Sequence, residues 1–367
     1  MSRVSMVALL GAVVSLRLAA QTPDSAATKP IAVTGYVTST FTSSSDAAAG
    51  VIVGRLYDRD QNGFMLNVAN LTIDRAAPTN QLGAGVHVEA FFGQDAEVVK
   101  SNGLDLGADA DIWQAYVTLN LPLHRGGHYL QFKAGKMATL MGVEVGEDVQ
   151  NANLDVGSQD VFLEPFTETG VEVDGKFGAH LDAEVRVSNG WDQVVDVNTS
   201  KTVMARIGIT PDDHTTIAVV GYTGAERPDS SGLKRSGVNV VLARKFGSAT
   251  KLSGQIDLGM EDGAAAGGAT AAWSAAGVWL TRDVSSQATL ALRGDYLDDR
   301  DGARTSGVLG FPVNDGQTLT SLTATLTIKS WPSVLLRPEV RYDHSTLAVF
   351  DGAASQLSVA CGVSYLF

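Results

Sequence analysis

The chain from Leu357 to its last residue alternates side chain by side chain. Leu357, Val359, Cys361, Val363, Tyr365 and Phe367 point one way, and Ser358, Ala360, Gly362, Ser364 and Leu366 point the other. A period of two belongs to a β-strand whose two faces meet different surroundings. An aromatic-rich outer face that runs to Phe367 is the pattern of a strand closing a barrel in an outer membrane, which constrains how every other segment can be read.

Sixteen candidate strands carry the same rhythm. The first runs from Ile31 to Phe41, with Val33, Val37 and Phe41 opposed to Thr34, Tyr36, Thr38 and Thr40. Val86, Val88, Ala90 and Phe92 oppose His87, Glu89 and Phe91 in the third, and Leu181, Ala183, Val185 and Val187 oppose Asp182, Glu184, Arg186 and Ser188 in the seventh. Leu322, Ala324, Leu326 and Ile328 oppose Thr323, Thr325, Thr327 and Lys329 in the fourteenth. Pro338 falls inside the fifteenth, where it removes a ladder donor and predicts a bulge.

Charges at mid-strand on the polar face suit either a solvated sandwich or a water-filled lumen. Connection length separates the two. Short links such as 76–82, 122–127, 177–179 and 330–333 alternate with long ones such as 42–62, 94–111, 138–168 and 298–316. That asymmetry is expected of an outer-membrane barrel. An even strand count puts both ends of the barrel, and so Phe367, on the short-turn side.

The N-terminus agrees with export. Arg3, an apolar run from Met6 to Leu16, and Ala19-Ala20 predict a signal peptide over residues 1–20. A short lead (21–30) then precedes a barrel over 31–367. No segment holds the roughly 18 to 20 continuous apolar residues that a membrane helix needs. The net charge of −13 argues against nucleic acid as a partner. Cys361 stands alone, so no intramolecular disulfide is possible, and it reads as a small hydrophobe.

The loop 138–168 is the longest connection and the most charged. It carries Glu144, Glu147, Asp148, Asp155, Asp160, Glu164 and Glu168 and no lysine or arginine. Folded inward, it would set carboxylates against basic wall residues on the polar phase of their strands, for which Lys133, Arg186, Arg206, Arg293, Arg337 and Arg341 are the candidates. Charge arranged across a narrow passage sets ion selectivity. The bland alternative is a solvated acidic loop with ordinary lumen charges.

Other constellations carry less. Asp58 to Gly63 resembles the start of a calcium loop, but the closing glutamate is replaced by Ala69. His344 and Ser345 are adjacent and so face opposite sides of a strand, and no Gly-X-Ser-X-Gly elbow accompanies the six histidines. No metal, cofactor or catalytic centre is expected.

Gly142-Val143-Glu144, Asn151-Ala152-Asn153, Thr169-Gly170-Val171 and Asn189-Gly190-Trp191-Asp192, with Asp196, Asn198 and Lys201 following, resemble the OmpL-like family of β-barrel porins. The resemblance extends from about residue 31 to the end and implies an outer-membrane channel. After Asn153 the chain departs from the family pattern, reading Leu154 to Ser158 where a basic segment is expected. Trp191 itself suits a membrane–water interface. Asp192, Asp196, Asn198 and Lys201 suit a polar network at the barrel rim.

The expectation is a single all-β, antiparallel transmembrane barrel of about sixteen strands, wide enough for an aqueous channel. It would sit in the outer-membrane lipid of a Gram-negative-type bacterium and pass small hydrophilic solutes or ions, with a mild cation preference. Phe367 would meet the barrel-assembly machinery, and a homotrimer is compatible with its size. A solute-specific uptake channel and a non-conducting structural barrel are the competing readings.

Overall fold

The computed structural model describes residues 30–47, 50–123, 128–228, 230–313 and 316–367. The expected signal peptide and nearly all of the lead lie outside them.

Sixteen antiparallel strands close on themselves in sequence order. They are β1 (Ala32–Ser44), β2 (Gly63–Arg75), β3 (Gly83–Phe92), β4 (Ala110–Pro122), β5 (Tyr129–Ala138), β6 (Thr167–Lys176), β7 (Leu181–Trp191) and β8 (Thr202–Asp212). The second half comprises β9 (Thr215–Gly224), β10 (Arg235–Phe246), β11 (Thr250–Glu261), β12 (Ala271–Ser285), β13 (Ala288–Asp299), β14 (Gln317–Trp331), β15 (Val334–Ser345) and β16 (Ser355–Leu366). Two short helices, α1 (Gln94–Val99) and α2 (Ser158–Leu163), lie in long loops. No helix among the described residues is long and apolar enough to cross a membrane.

Alternation in the sequence becomes alternation of environment. On β14, Leu322 is 67% exposed on the outside while its neighbour Ser321 is 6% exposed inside. The terminal strand behaves in the same way. Leu357, Val359, Val363 and Tyr365 stand outside, whereas Ser358 and Ser364 are buried. Closure is made by β1 against β16, in register from Tyr36 opposite Leu366 to Ser44 opposite Ser358. The Phe367 amide donates to the Gly35 carbonyl, and the Gly35 amide donates back, each at 3.0 Å. A closed ladder leaves no edge strand for another chain to extend.

The expected bulge at Pro338 is absent. Towards β16 the pairing runs unbroken through Arg337, Pro338 and Glu339. Towards β14, ladder pairs stop at Thr325–Glu339 and resume at Ile328–Leu336 in the same register. The missing donor therefore interrupts bonding to one neighbour without inserting a residue. A real irregularity lies on β4, where Glu89 pairs with Gln114 and Ala90 with Ile112. The extra residue, Trp113, turns inward and stacks on Phe91 with ring centroids 5.0 Å apart.

A barrel of this width cannot be filled by wall side chains alone. The loop 139–166 does much of the filling. Leu154, Val156, Phe162 and Leu163 are all buried, the last two in a cluster with Trp273, Leu297, Phe311 and Phe350. Each contributes about 1.5–3 kcal/mol of apolar burial.

Candidate functional site

The acidic loop leaves β5, crosses the lumen and returns to β6, touching the far wall on the way. Its attachment is built from three arginines on β13 and β15. Arg293 donates from Nη1 to Glu144 Oε1 at 2.8 Å and to the Asp155 carbonyl at 2.6 Å, while its Nε meets Asp295 at 2.8 Å. Arg337 holds the Asp148 carboxylate at 2.6 Å and the Asp148 carbonyl at 2.8 Å. Arg341 reaches Asp155 at 3.2 Å and the Val156 carbonyl at 2.9 Å. All three are buried, with Arg293 fully so. Guanidinium forks suit this because one side chain can satisfy carboxylate and carbonyl oxygens together.

Apart from Glu168, which pairs with Arg186, the acidic residues picked out in the loop thus fall into two groups. Glu144, Asp148 and Asp155 are ion-paired to the wall. Glu147, Asp160 and Glu164 have no cationic partner among the described residues. Burial, then the nearby Glu89 carboxylate, pushes Glu147 up to about 8. Burial raises Asp160 well above the usual range, with Glu144 and Asp155 adding to the effect. Burial also raises Glu164, followed by the charge of Asp257, while Gln255 donates to it at 2.5 Å. Low-dielectric surroundings disfavour an unpaired charge, so all three carboxyls are shifted towards their protonated form.

The expected arrangement set the loop's carboxylates opposite basic wall residues across a narrow passage. On the Arg293, Arg337 and Arg341 side there is no gap, because cation and carboxylate are in contact. Gly146 shows how closely the loop packs. A Cβ there would stand 2.0 Å from the Trp113 ring, so only glycine fits.

The other three basic candidates face wall carboxylates instead of the body of the loop. Lys133 on β5 pairs with Glu172 at 2.7 Å and approaches Asp174 at 3.8 Å. Arg206 on β8 bridges Asp182 and Glu184 of β7. Their side chains remain 20% and 24% exposed. Arg186 is intermediate in kind. It is buried, pairs with Glu168 and Glu172, and donates to the Ala138 carbonyl at 2.7 Å, where the loop begins. Beside Arg206, towards the short-turn end, lies a cavity of about 310 Å³ lined by Leu140, Gly142, Asp182, Thr210, Asn239 and Val241, among others.

Several participants had no signal in the sequence. The segment 50–62 also folds inward: Arg55 pairs with Asp343 at 2.9 Å and donates to Ser358 at 2.7 Å. The Tyr57 amide donates to Asp155 at 3.0 Å, and its hydroxyl donates to the Gly146 carbonyl at 2.9 Å. Gln159 donates to Asp257 at 2.6 Å. Periodicity says nothing about which way a loop turns. Asp58, the head of the calcium-like stretch, is buried 3.7 Å from Arg55, and no group of acidic, His or Cys side chains among the described residues has metal-site geometry. His344 is exposed and Ser345 is buried, donating to Gln317 at 2.7 Å.

The Asn189–Lys201 segment forms a rim network, as its composition suggests, in which Lys201 contacts Asp196 and Asn189. Asp192 instead accepts from the Phe166 and Thr167 amides, both at 2.9 Å, and so ties down the end of the acidic loop. Burial pushes its carboxyl up to about 7. Trp191, expected at the membrane interface, is 5% exposed and packs against Met141, Met204 and Tyr222.

A family model described as "Putative beta-barrel porin-2, OmpL-like" matches residues 30–367. The chain belongs to this porin family. It is an outer-membrane porin, and its short turns accordingly face the periplasm. No curated protein matches it in sequence. Solved structures share the fold at low identity. The outer membrane channel DcaP of Acinetobacter baumannii is 14% identical, with 94% of this chain and 99% of that one covered and a TM-score of 0.64. An anion-selective porin from Comamonas acidovorans is 13% identical over 92% and 99%, with a TM-score of 0.60. The trimer form of OmpT from Vibrio cholerae is 11% identical over 92% and 99%, also with a TM-score of 0.60.

Proposed function

We propose that this porin passes small hydrophilic solutes and ions by diffusion along the β5–β10 side of its lumen. The acidic loop, seated on Arg293, Arg337 and Arg341, would narrow the passage from the opposite side. The observation that carries this reading is the contrast in solvation. Lys133, Asp182 and Arg206 remain accessible to water, whereas the three loop-bound arginines do not. Water-reached charge belongs to the path, and dry charge belongs to the scaffold.

Selectivity then follows the wet wall. Asp174, Asp182 and Glu184 give three water-reached carboxylates there, against Lys133 and Arg206 as two water-reached cations. A mild cation preference is expected. In planar bilayers under a salt gradient, the reversal potential should take the sign for cations, and an anion-selective potential would overturn this part of the reading.

Two partners complete the proposal. Phe367 stands 57% exposed on the outer face at the periplasmic rim, which supports its use as the residue offered to barrel-assembly machinery. Deleting it should lower the amount of folded barrel in the outer membrane. The trimer form recorded for one structural relative supports a homotrimer here, readable by crosslinking in the membrane.

A further inference from the structure

At the outer mouth, the porin reading leaves one cluster unused. Arg304, in the loop between β13 and β14, lies with its guanidinium 5.3 Å from the Trp191 ring centre and 5.4 Å from that of Trp273. Arg235, at the outer end of β10, lies 4.6 Å from the same Trp191 ring. Tyr222 closes the group, its ring centroid 5.2 Å from that of Trp191.

The two arginines are not equivalent. Arg235 is neutralised by Glu261 at 2.8 Å. Arg304 has no carboxylate within ion-pair distance among the described residues, and only its Nε is bonded, to the Phe162 carbonyl at 2.7 Å. The nearby carboxylates are committed elsewhere. Asp299 accepts from the amides of Ala303, Arg304 and Thr305 and from the Thr305 hydroxyl. Glu226 accepts from the Trp191 amide and the Thr202 hydroxyl. Among the described residues, both terminal nitrogens of Arg304 are therefore unused. So is the indole Nε1–H of Trp191, a donor on a side chain more than nine-tenths buried. Unused donors in an apolar setting are costly unless something arrives to meet them. Desolvation and the charge of Arg235 bring the Arg304 guanidinium down to about 10, the direction expected of a cation lacking its counterion.

We infer that Arg304, with the free Trp191 indole N–H, forms a docking station for the carboxylate of a small organic monocarboxylate entering from outside. A guanidinium edge with two free amino groups matches a planar carboxylate in bidentate fashion. One negative charge balances the one unneutralised cation, whereas a dianion would meet Glu261 and Asp299 with its second charge. Half-buried Arg304 remains reachable from solvent, and Leu140 and Met141 beside Trp191 suit an apolar body on the solute. The station deepens the porin reading by naming a solute class, and its binding does not require the channel to conduct.

Benzoate is the probe, with benzyl alcohol as its uncharged match, titrated by calorimetry onto the detergent-folded full-length barrel. Saturable benzoate binding is expected, with benzyl alcohol much weaker. Arg304→Gln should raise the benzoate Kd roughly tenfold or more, since bonds from a charged donor are lost. Arg304→Lys, which keeps the charge but not the fork, should fall between. Heat-modifiable gel migration checks that each variant is folded, and if Arg304→Gln fails that check the lysine variant decides. Equal benzoate binding by wild type and the deciding variant overturns the proposal, as does benzyl alcohol binding equal to benzoate. A barrel that conducts without binding benzoate overturns this inference alone. One that binds benzoate without conducting overturns only the diffusion reading.

Discussion

The lumen has a dry wall and a wet wall, both lined by basic residues on the polar phase of their strands. On β13 and β15, Arg293, Arg337 and Arg341 are buried against the acidic loop. On β5 and β8, Lys133 and Arg206 stay in contact with water and pair with carboxylates of adjacent strands. The same residue types therefore do different work. Where a loop covers an arginine, its charge is fixed in a low dielectric and holds structure. Where no loop covers it, its charge is screened and can act on a passing ion.

Breaking the dry wall should have the largest effect. Arg293→Met leaves Glu144 and Asp295 buried without their cation, a class of change that costs about 3–5 kcal/mol. The expected outcome is a lower midpoint in heat-modifiability unfolding and larger, noisier single-channel currents as the loop loses its anchor. Combining Arg293→Met with Glu144→Gln removes much of the uncompensated charge and should recover part of the midpoint. A single variant with an unchanged midpoint and current would place the loop's attachment elsewhere.

A smaller effect comes from pH. Glu147 presses its carboxyl against the β3–β4 wall, facing Glu89 and Gln114, with Trp113 alongside; His87 lies 3.5 Å from Glu89 on the same wall. Its folded value, about 8, lies above its ordinary value of 4.5. A raised acid stabilises the fold fully below the unfolded value and loses that contribution as pH climbs through the folded one. Loop docking should therefore weaken between about pH 4.5 and 8, by on the order of a few kcal/mol at most. Glu147→Gln should flatten stability over that window, and an unchanged pH profile in the variant would show that another group sets it.

The wet wall gives the smallest change in stability. Arg206→Gln removes a partly screened pair and should shift unfolding by about 1 kcal/mol or less. Its signature is electrical: with Asp182 and Glu184 uncompensated, the reversal potential should move further towards cations. A large loss of stability with no change in potential would erase the distinction between the walls.

The barrel was almost wholly legible because one local rule, alternate residues to alternate faces, holds in every strand and needs no knowledge of distant partners. Phe367, the strand count and the inward phase of the basic residues all follow from it. Pro338 shows its limit: a missing donor was visible, but whether the strand would bulge or merely skip bonds depends on both neighbours. The acidic loop was visible as a run of carboxylates, yet not which would be paired. Glu144 and Glu147 are three residues apart, and one sits on Arg293 while the other is pressed against Glu89. Arg55 and Arg304 carried no signal, since their importance depends on which loops fold inward.

By itself, then, the sequence determined a closed, membrane-spanning barrel with a polar interior, because strand periodicity and loop-length asymmetry are local properties. Tertiary structure alone decided which interior charges are dry, which remain in water and which, like Arg304, have no counterion among the described residues. Solvation and ion pairing depend on long-range neighbours, here between residues as far apart as Asp148 and Arg337.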